Sequence, residues 1–280
     1  MKHSRSIACA TTLMGLAIGS LFPGAAAAQG APSSTDASSW QFTATIYGWV
    51  PIIDGKVIFP DDKGSTDIHV NGANVISHLK MTFQGSLDAN NGRWGIFNDV
   101  VYVDLGGVKS QSHDLWIGDV RIPATATADL SLDLKSLIWT VAGEYRVASD
   151  PTWTMDLLAG ARLLRMKPTL TYTITGDLGS VAIPGRNGVK QVNEGVWDGI
   201  VGVKGRYAFG DGGKWFVPFY LDVGTGQSQL TWQISGGIGY TYNWGSVFAT
   251  WRYLDYKFQS GKALDNINFG GPLLGVAFRW

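Results

Sequence analysis

Few side chains in this sequence have the types and spacing that catalysis needs. Three histidines lie beyond residue 28, namely His69, His78 and His113, and all fall in stretches that read as loops. His113-Asp114 would suit a general-base pair, since an imidazole beside a carboxylate can take up a proton near neutral pH. Adjacency along the chain does not create that geometry, and no second acid pair or nucleophile stands at a useful spacing, so the reading is non-enzymatic. Asp67, His69 and His78 would be the metal candidates, but their spacing matches no recognised ligand set. Asp61-Asp62 reads as a solvated turn. Gly224-Thr225-Gly226 has the look of a phosphate-loop fragment, yet no helical pattern follows it, and a strand connection accounts for it better. No cofactor and no metal are therefore expected.

A larger set of charged residues stands at regular places: Asp88, Arg93, Asp99, Glu144, Arg146, Asp156, Arg162, Asp198, Lys204, Arg206, Asp222, Arg252 and Arg279. Each sits opposite in parity to a run of apolar residues. In a strand, side chains two apart share a face, so such parity separates a greasy face from a charged one. From Gln229 to Tyr242, Leu230, Trp232, Ile234, Gly236, Ile238, Tyr240 and Tyr242 share one side, and Gln229, Thr231, Gln233, Ser235, Gly237, Gly239 and Thr241 the other. Met81, Phe83, Gly85 and Leu87 likewise oppose Lys80, Thr82, Gln84, Ser86 and Asp88. The final residues repeat the pattern, with Leu274, Val276, Phe278 and Trp280 on one face and Leu273, Gly275, Ala277 and Arg279 on the other.

Strands of this kind also fit about 40–50, 93–105, 126–148, 153–166, 196–209, 215–224, 246–258 and 268–280, which makes about ten. Within 126–148 the parity slips, because Leu130, Leu132 and Leu134 oppose Trp139, Val141, Tyr145 and Val147. A bulge near Ser136 would restore one apolar face. An even number of strands with one apolar face predicts an all-β fold, an antiparallel transmembrane β-barrel. Four short turns divide the chain, at Asn90-Asn91-Gly92, Ser149-Asp150-Pro151, Asp211-Gly212-Gly213 and Asn243-Trp244-Gly245. A tryptophan lies at or just after each. Trp94, Trp153, Trp215 and Trp244, with Trp40 and Trp280 at the two ends of the strand region, predict an interfacial girdle on the periplasmic side, where barrel turns are short. The opposite connections, near 51–79, 106–125, 174–195 and 259–267, are longer. The first has the pattern of a short helix from Asn74 to Leu79.

Composition agrees with a barrel. Glycine makes up 37 of 280 residues and aromatics 12%, while charged residues are 16%, against roughly 25% in ordinary soluble domains. Formal net charge is zero, so nothing points to nucleic acid. Residues 1–28 read as a secretory signal peptide: Lys2, His3 and Arg5 precede an apolar run, and Ala26-Ala27-Ala28 marks the expected cleavage point. Cys9 lies within that run, so the mature chain would lack thiol chemistry. Residues 29–39 read as a flexible lead-in and 40–280 as the barrel domain.

The stretches Tyr47-Gly48-Trp49-Val50-Pro51 with Ile53-Asp54-Gly55, Gly92-Arg93-Trp94-Gly95-Ile96-Phe97, Trp197-Asp198 with Val201-Gly202, Thr231-Trp232-Gln233, Trp251-Arg252-Tyr253-Leu254-Asp255-Tyr256 and Gly271-Pro272-Leu273-Leu274-Gly275 resemble a family of uncharacterised outer-membrane β-barrel proteins of Gram-negative bacteria. The resemblance spans most of 40–280 and departs near Gly224–Ser228. It implies the fold and an outer-membrane location reached through the periplasm, and brings no substrate or catalytic residue. The partners expected are the outer-membrane bilayer, the barrel-assembly machinery during biogenesis and, for a pore, small solutes.

Function then rests on the inward face. Glu144, Arg146, Asp156, Arg162, Asp198, Lys204, Arg206, Asp222 and Arg252 are the lumen-lining candidates. Such charges are tolerated only when paired or hydrated. The first arrangement would make a salt-bridged structural core in a narrow barrel, and the second a narrow pore for hydrophilic solutes. A barrel hydrolase with its site in the outer loops, or a ligand binder using those loops, are the alternatives.

Overall fold

The structure, a computed structural model, describes residues 39–280 apart from 60–63, 110–115, 118–119, 122–126, 176, 179–180, 183–185, 192 and 263. The expected signal peptide, nearly all of the lead-in, Asp61-Asp62 and His113-Asp114 lie outside the described residues.

Ten antiparallel strands close into a barrel: β1 (Gln41–Trp49), β2 (Leu79–Asn90), β3 (Trp94–Lys109), β4 (Thr127–Ser149), β5 (Trp153–Thr175), β6 (Glu194–Phe209), β7 (Trp215–Gly226), β8 (Ser228–Thr241), β9 (Gly245–Phe258) and β10 (Leu264–Arg279). Each pairs with its chain neighbour, and β10 pairs back onto β1 from Thr43↔Arg279 to Trp49↔Leu273, which leaves no free edge there. The described turns owe their tightness to local chemistry. Asn91 Oδ1 accepts from the backbone N–H of Arg93 and Trp94, Asp150 Oδ1 accepts from those of Thr152 and Trp153, and Gly92 takes a φ of 90°.

Among the described residues no helix is long and apolar enough to cross a membrane, and the strands make the crossing. Their outer face is apolar: Ile46, Leu87, Ile96, Leu157, Val201, Leu221, Ile234, Ile238 and Leu274 are all exposed. Exposed aliphatic residues on every side of a closed barrel are stable only against lipid, which places the protein in the outer membrane. Aromatic rings bound this belt at the short-turn end, through Trp94 on Tyr145, Trp153 on Tyr207, Trp215 on Tyr240, Tyr242 on Trp244, Trp244 on Phe278 and Phe42 on Trp280. Toward the other end lie Trp139 against Trp197 and Trp232 against Tyr253.

β4 and β5 run for 23 residues each, about twice what a tilted crossing requires, and so project beyond the membrane. The parity slip in β4 is not a bulge at Ser136. The β4–β5 ladder runs unbroken through Ser136↔Met166, and the register shifts instead between Arg146 and Ala148, while on the β3 side it shifts between Leu105 and Val108. Leu134 stays on the inner face with Ile138 and Ala142, all buried. The expectation failed because it assumed a polar interior along the whole strand, whereas the outer half of the lumen is apolar.

The connection from β1 to β2 is an annex to the barrel. Val50 donates its N–H to Pro272 O at 3.1 Å, and the chain crosses so close to Gly271 that a Cβ there would strike Val50 O. It continues as a hairpin of Ile52–Phe59 and Gly64–Val70, whose first strand pairs with the outer half of β10. Helix α1 (Gly72–Ser77) follows, two residues earlier than the sequence pattern indicated, because Asn71 caps it by accepting from Asn74 N at 2.8 Å. Val70 and Val75 are buried against the barrel interior.

Candidate functional site

The inner face is organised in three tiers. Nearest the short turns is a cavity of about 770 Å³ that opens at that end of the barrel. Polar residues of β1 and β2 line it together with Arg146, Asp156, Lys204, Arg206, Arg279 and the rings of Phe97, Phe216 and Phe248. Arg146 grips Asp156 through two bonds of 2.8 and 3.0 Å. Lys204 bridges Asp88 and Glu144, with its ammonium 4.4 Å from the centre of the Phe97 ring. Arg206 stacks on Phe216 at 4.3 Å and reaches Thr241 Oγ1 at 3.4 Å.

The second tier closes the cavity. Arg252 donates to Asp99 Oδ2 at 2.8 Å, to Tyr47 OH at 3.1 Å and to Gln233 Oε1 at 2.8 and 3.1 Å, while Tyr47 OH donates to Asp99 Oδ1 at 2.5 Å. Arg162 forms a fork with Asp222 and also donates to Thr140 Oγ1 at 3.0 Å and to Tyr220 OH at 3.4 Å. The side chains of Arg162 and Asp222 are 0% exposed, so this tier is dry and held by charge-assisted bonds. These partners sit on non-neighbouring strands, β9 with β3 and β5 with β7, so the two networks brace the barrel across its lumen.

The third tier, toward the outside, is a hydrophobic core. Trp49, Val101, Leu134, Ile138, Leu164, Val196, Leu254, Tyr256 and Phe269 are buried there, and Val70 and Val75 of the annex join them. The tier needs a seal between β1 and β2, because their backbone register ends at Ile46↔Gly85. Gln84 supplies it: its Oε1 accepts from Trp49 N at 2.6 Å and its Nε2 donates to Trp49 O at 3.2 Å, in the manner of a ladder partner. Asp198 lies at this level, 1% exposed, and accepts from Ser228 N at 2.8 Å.

The structure places all nine lumen candidates on the inner face and distributes them over these tiers. Glu144, Arg146, Asp156, Lys204 and Arg206 surround the cavity region, Arg162, Asp222 and Arg252 form its roof, and Asp198 lies above. Asp88, Asp99 and Arg279 also point inward. Arg93 does not: it sits at a short turn with its guanidinium 5.3 Å from the Tyr145 ring and bonded to Tyr145 OH at 3.0 Å. The turn ends the strand alternation one residue before Trp94, so parity has no force at Arg93. Trp40, Trp94, Trp153, Trp215, Trp244 and Trp280 are exposed and lie at the short-turn end. Reasoning from charge alone missed Tyr47, Gln84, Thr140, Tyr220 and Gln233, which complete the hydrogen bonding, and Phe97, Phe216 and Phe248. Gln84, Thr140, Tyr220, Phe97, Phe216 and Phe248 share parity with a charged residue of their own strand, which was the available signal; β1 and β8 carry no charged residue, so Tyr47 and Gln233 could be placed only by the polar side of the alternation.

The loops offer less. His69 Nδ1 contacts the Asp54 carboxylate, and His78 Nδ1 lies 2.9 Å from Ser77 Oγ and 3.0 Å from Asn74 O. Among the described residues no three His, Cys, Asp or Glu side chains are grouped to hold a metal ion.

No protein-family model and no curated protein matches the sequence. Among solved structures the chain is similar to the outer-membrane protease OmpT from Escherichia coli, at 12% identity and a TM-score of 0.51, over 89% of this chain and 99% of that one. It also aligns with the translocator domain of the autotransporter NalP from Neisseria meningitidis, at 13% identity and a TM-score of 0.39, over 88% and 90% of the two chains. For Ail of Yersinia pestis the values are 10%, 0.33, 87% and 99%. The likeness is one of fold, the closed antiparallel barrel of the Gram-negative outer membrane.

Proposed function

We propose that this barrel does not conduct: it is a rigid outer-membrane body, sealed toward the outside, whose lumen opens as a cup to the periplasm. The observation that carries this reading is the dry roof of Arg162–Asp222 and Arg252–Asp99–Tyr47 beneath the apolar tier. Opening a passage means separating a buried ion pair, at a cost of about 3–5 kcal/mol. That holds an open state to between about one molecule in 150 and about one in several thousand. A narrow hydrophilic pore would instead line its whole length with hydrated groups.

The same reading assigns no catalytic role. His69 and His78 are engaged by neighbours within the annex, and the lumen carboxylates of the cavity are held in ion pairs. Planar-bilayer recording of the purified mature chain, with folding verified by heat-modifiable gel migration, tests the proposal. Silent membranes are expected. Steady unitary conductance from the folded protein would overturn it.

A further inference from the structure

We infer that the periplasmic cup is a binding site for a small organic oxyanion with a ring-sized apolar body, its carboxylate or phosphate held between Arg206 and Arg279. The inference deepens the closed-lumen reading and rests on it, since a blind cavity retains what a pore would pass.

The first argument is charge. Around the cavity, Asp156 is taken by Arg146, Asp88 and Glu144 by Lys204, and Asp99 by Arg252. Arg206 and Arg279 remain, and among the described residues neither has a carboxylate within ion-pair distance. Arg206 feels the charge of Arg279, and the charges that reach Arg279 are those of Arg146 and of Asp88, which is already bound to Lys204. An oxyanion between the two guanidinium groups would relieve their repulsion and satisfy their free N–H donors, which suit carboxylate and phosphate oxygens. Arg206 is positioned beforehand by its stacking on Phe216 and its bond to Thr241.

The second argument is shape. A volume of about 770 Å³ lies in the usual range for small-molecule sites. It stays open because two of its rings lie along the wall: Phe216 covers Gly239 and Phe248 covers Gly275, and a Cβ at either glycine would run into the ring. Phe97 and Phe248, both half-buried, thus offer apolar surface beside the cationic mouth, while Phe216, 5% exposed, backs Arg206. The polar roof has its own partners and makes no demand on a ligand. Two arginines that no carboxylate of the described residues contacts, set beside aromatic walls, therefore favour an aryl anion over a neutral or cationic solute.

Calorimetry on the protein in lipid nanodiscs, free of competing micelles, tests this with 2-naphthoate, 2-naphthyl phosphate, neutral 2-naphthalenemethanol and 2-naphthylmethylammonium. One equivalent of at least one anion should bind saturably, at least tenfold tighter than the ammonium. In Arg206→Gln/Arg279→Gln, anion affinity should fall at least tenfold with the neutral probe unchanged, and Thr45→Trp, which fills the cavity, should abolish binding. The stronger of the two anions identifies the headgroup. Absence of saturable anion binding by folded wild-type protein, equal binding of anion and ammonium, or an arginine variant that binds like wild type would overturn the inference. Conductance of the same preparation separates the two levels: a silent barrel that binds no anion sinks this inference alone, whereas a conducting barrel sinks the closed-lumen reading with it.

Discussion

Replacing Arg162 by methionine removes the one charge that faces Asp222 in a fully enclosed setting, where both side chains have 0% exposure. The variant keeps most of the side-chain volume but leaves the Asp222 carboxylate beside neutral donors, and strips Thr140 Oγ1 and Tyr220 OH of a donor. Stranding a buried charge in this way costs about 3–5 kcal/mol. Were the lumen wet, water would solvate the carboxylate and the loss would fall to about 1 kcal/mol or less. The double variant Arg162→Met/Asp222→Leu removes both charges and should recover most of the stability, since an apolar pair of similar volume is often as stable as a buried ion pair. Reversible urea unfolding followed by tryptophan fluorescence, on both single variants and the double, completes the cycle. A single-variant cost near 1 kcal/mol, or a double variant as unstable as the two singles combined, would refute a dry, braced roof.

Two further outcomes follow from the barrel wall. Gln84→Leu should cost about 2–4 kcal/mol in the same unfolding assay, because both backbone groups of buried Trp49 lose their partner; a change within about 0.5 kcal/mol would show that β1 and β2 close without it. Ile234→Arg, in the middle of the lipid-facing side of β8 and 47% exposed, should destabilise the barrel by about 2–4 kcal/mol in liposomes. No loss there would contradict the placement of the membrane belt.

Much of this molecule is written locally. The alternation in Gln229–Tyr242 and in Lys80–Asp88 places each side chain on the lipid or lumen face, because a strand has a two-residue period whatever it pairs with. Turn residues such as Asn91 and Asp150 bond their own backbone neighbours. The tryptophans beside them lie at one end of the barrel because each follows a turn at that end. These features depend on contacts within a few residues, so sequence suffices to read them. Leu134 marks where that reading stops, since its parity was plain but the apolar nature of the surrounding tier was not.

What lies across the lumen was decided only by closure. Arg162 meets Asp222 60 positions away, and Arg252 meets Asp99 153 positions away, on strands that are not neighbours. Any inward arginine has several inward carboxylates as prospective partners, and strand stagger selects among them. The same selection leaves Arg206 and Arg279 without an acid at the mouth, lays Phe216 and Phe248 over glycines of the adjacent strands, and brings the annex onto the outer core. Sequence thus determined which residues face inward. The three-dimensional register decided which of them neutralise one another, which seal the barrel, and where an open cup remains.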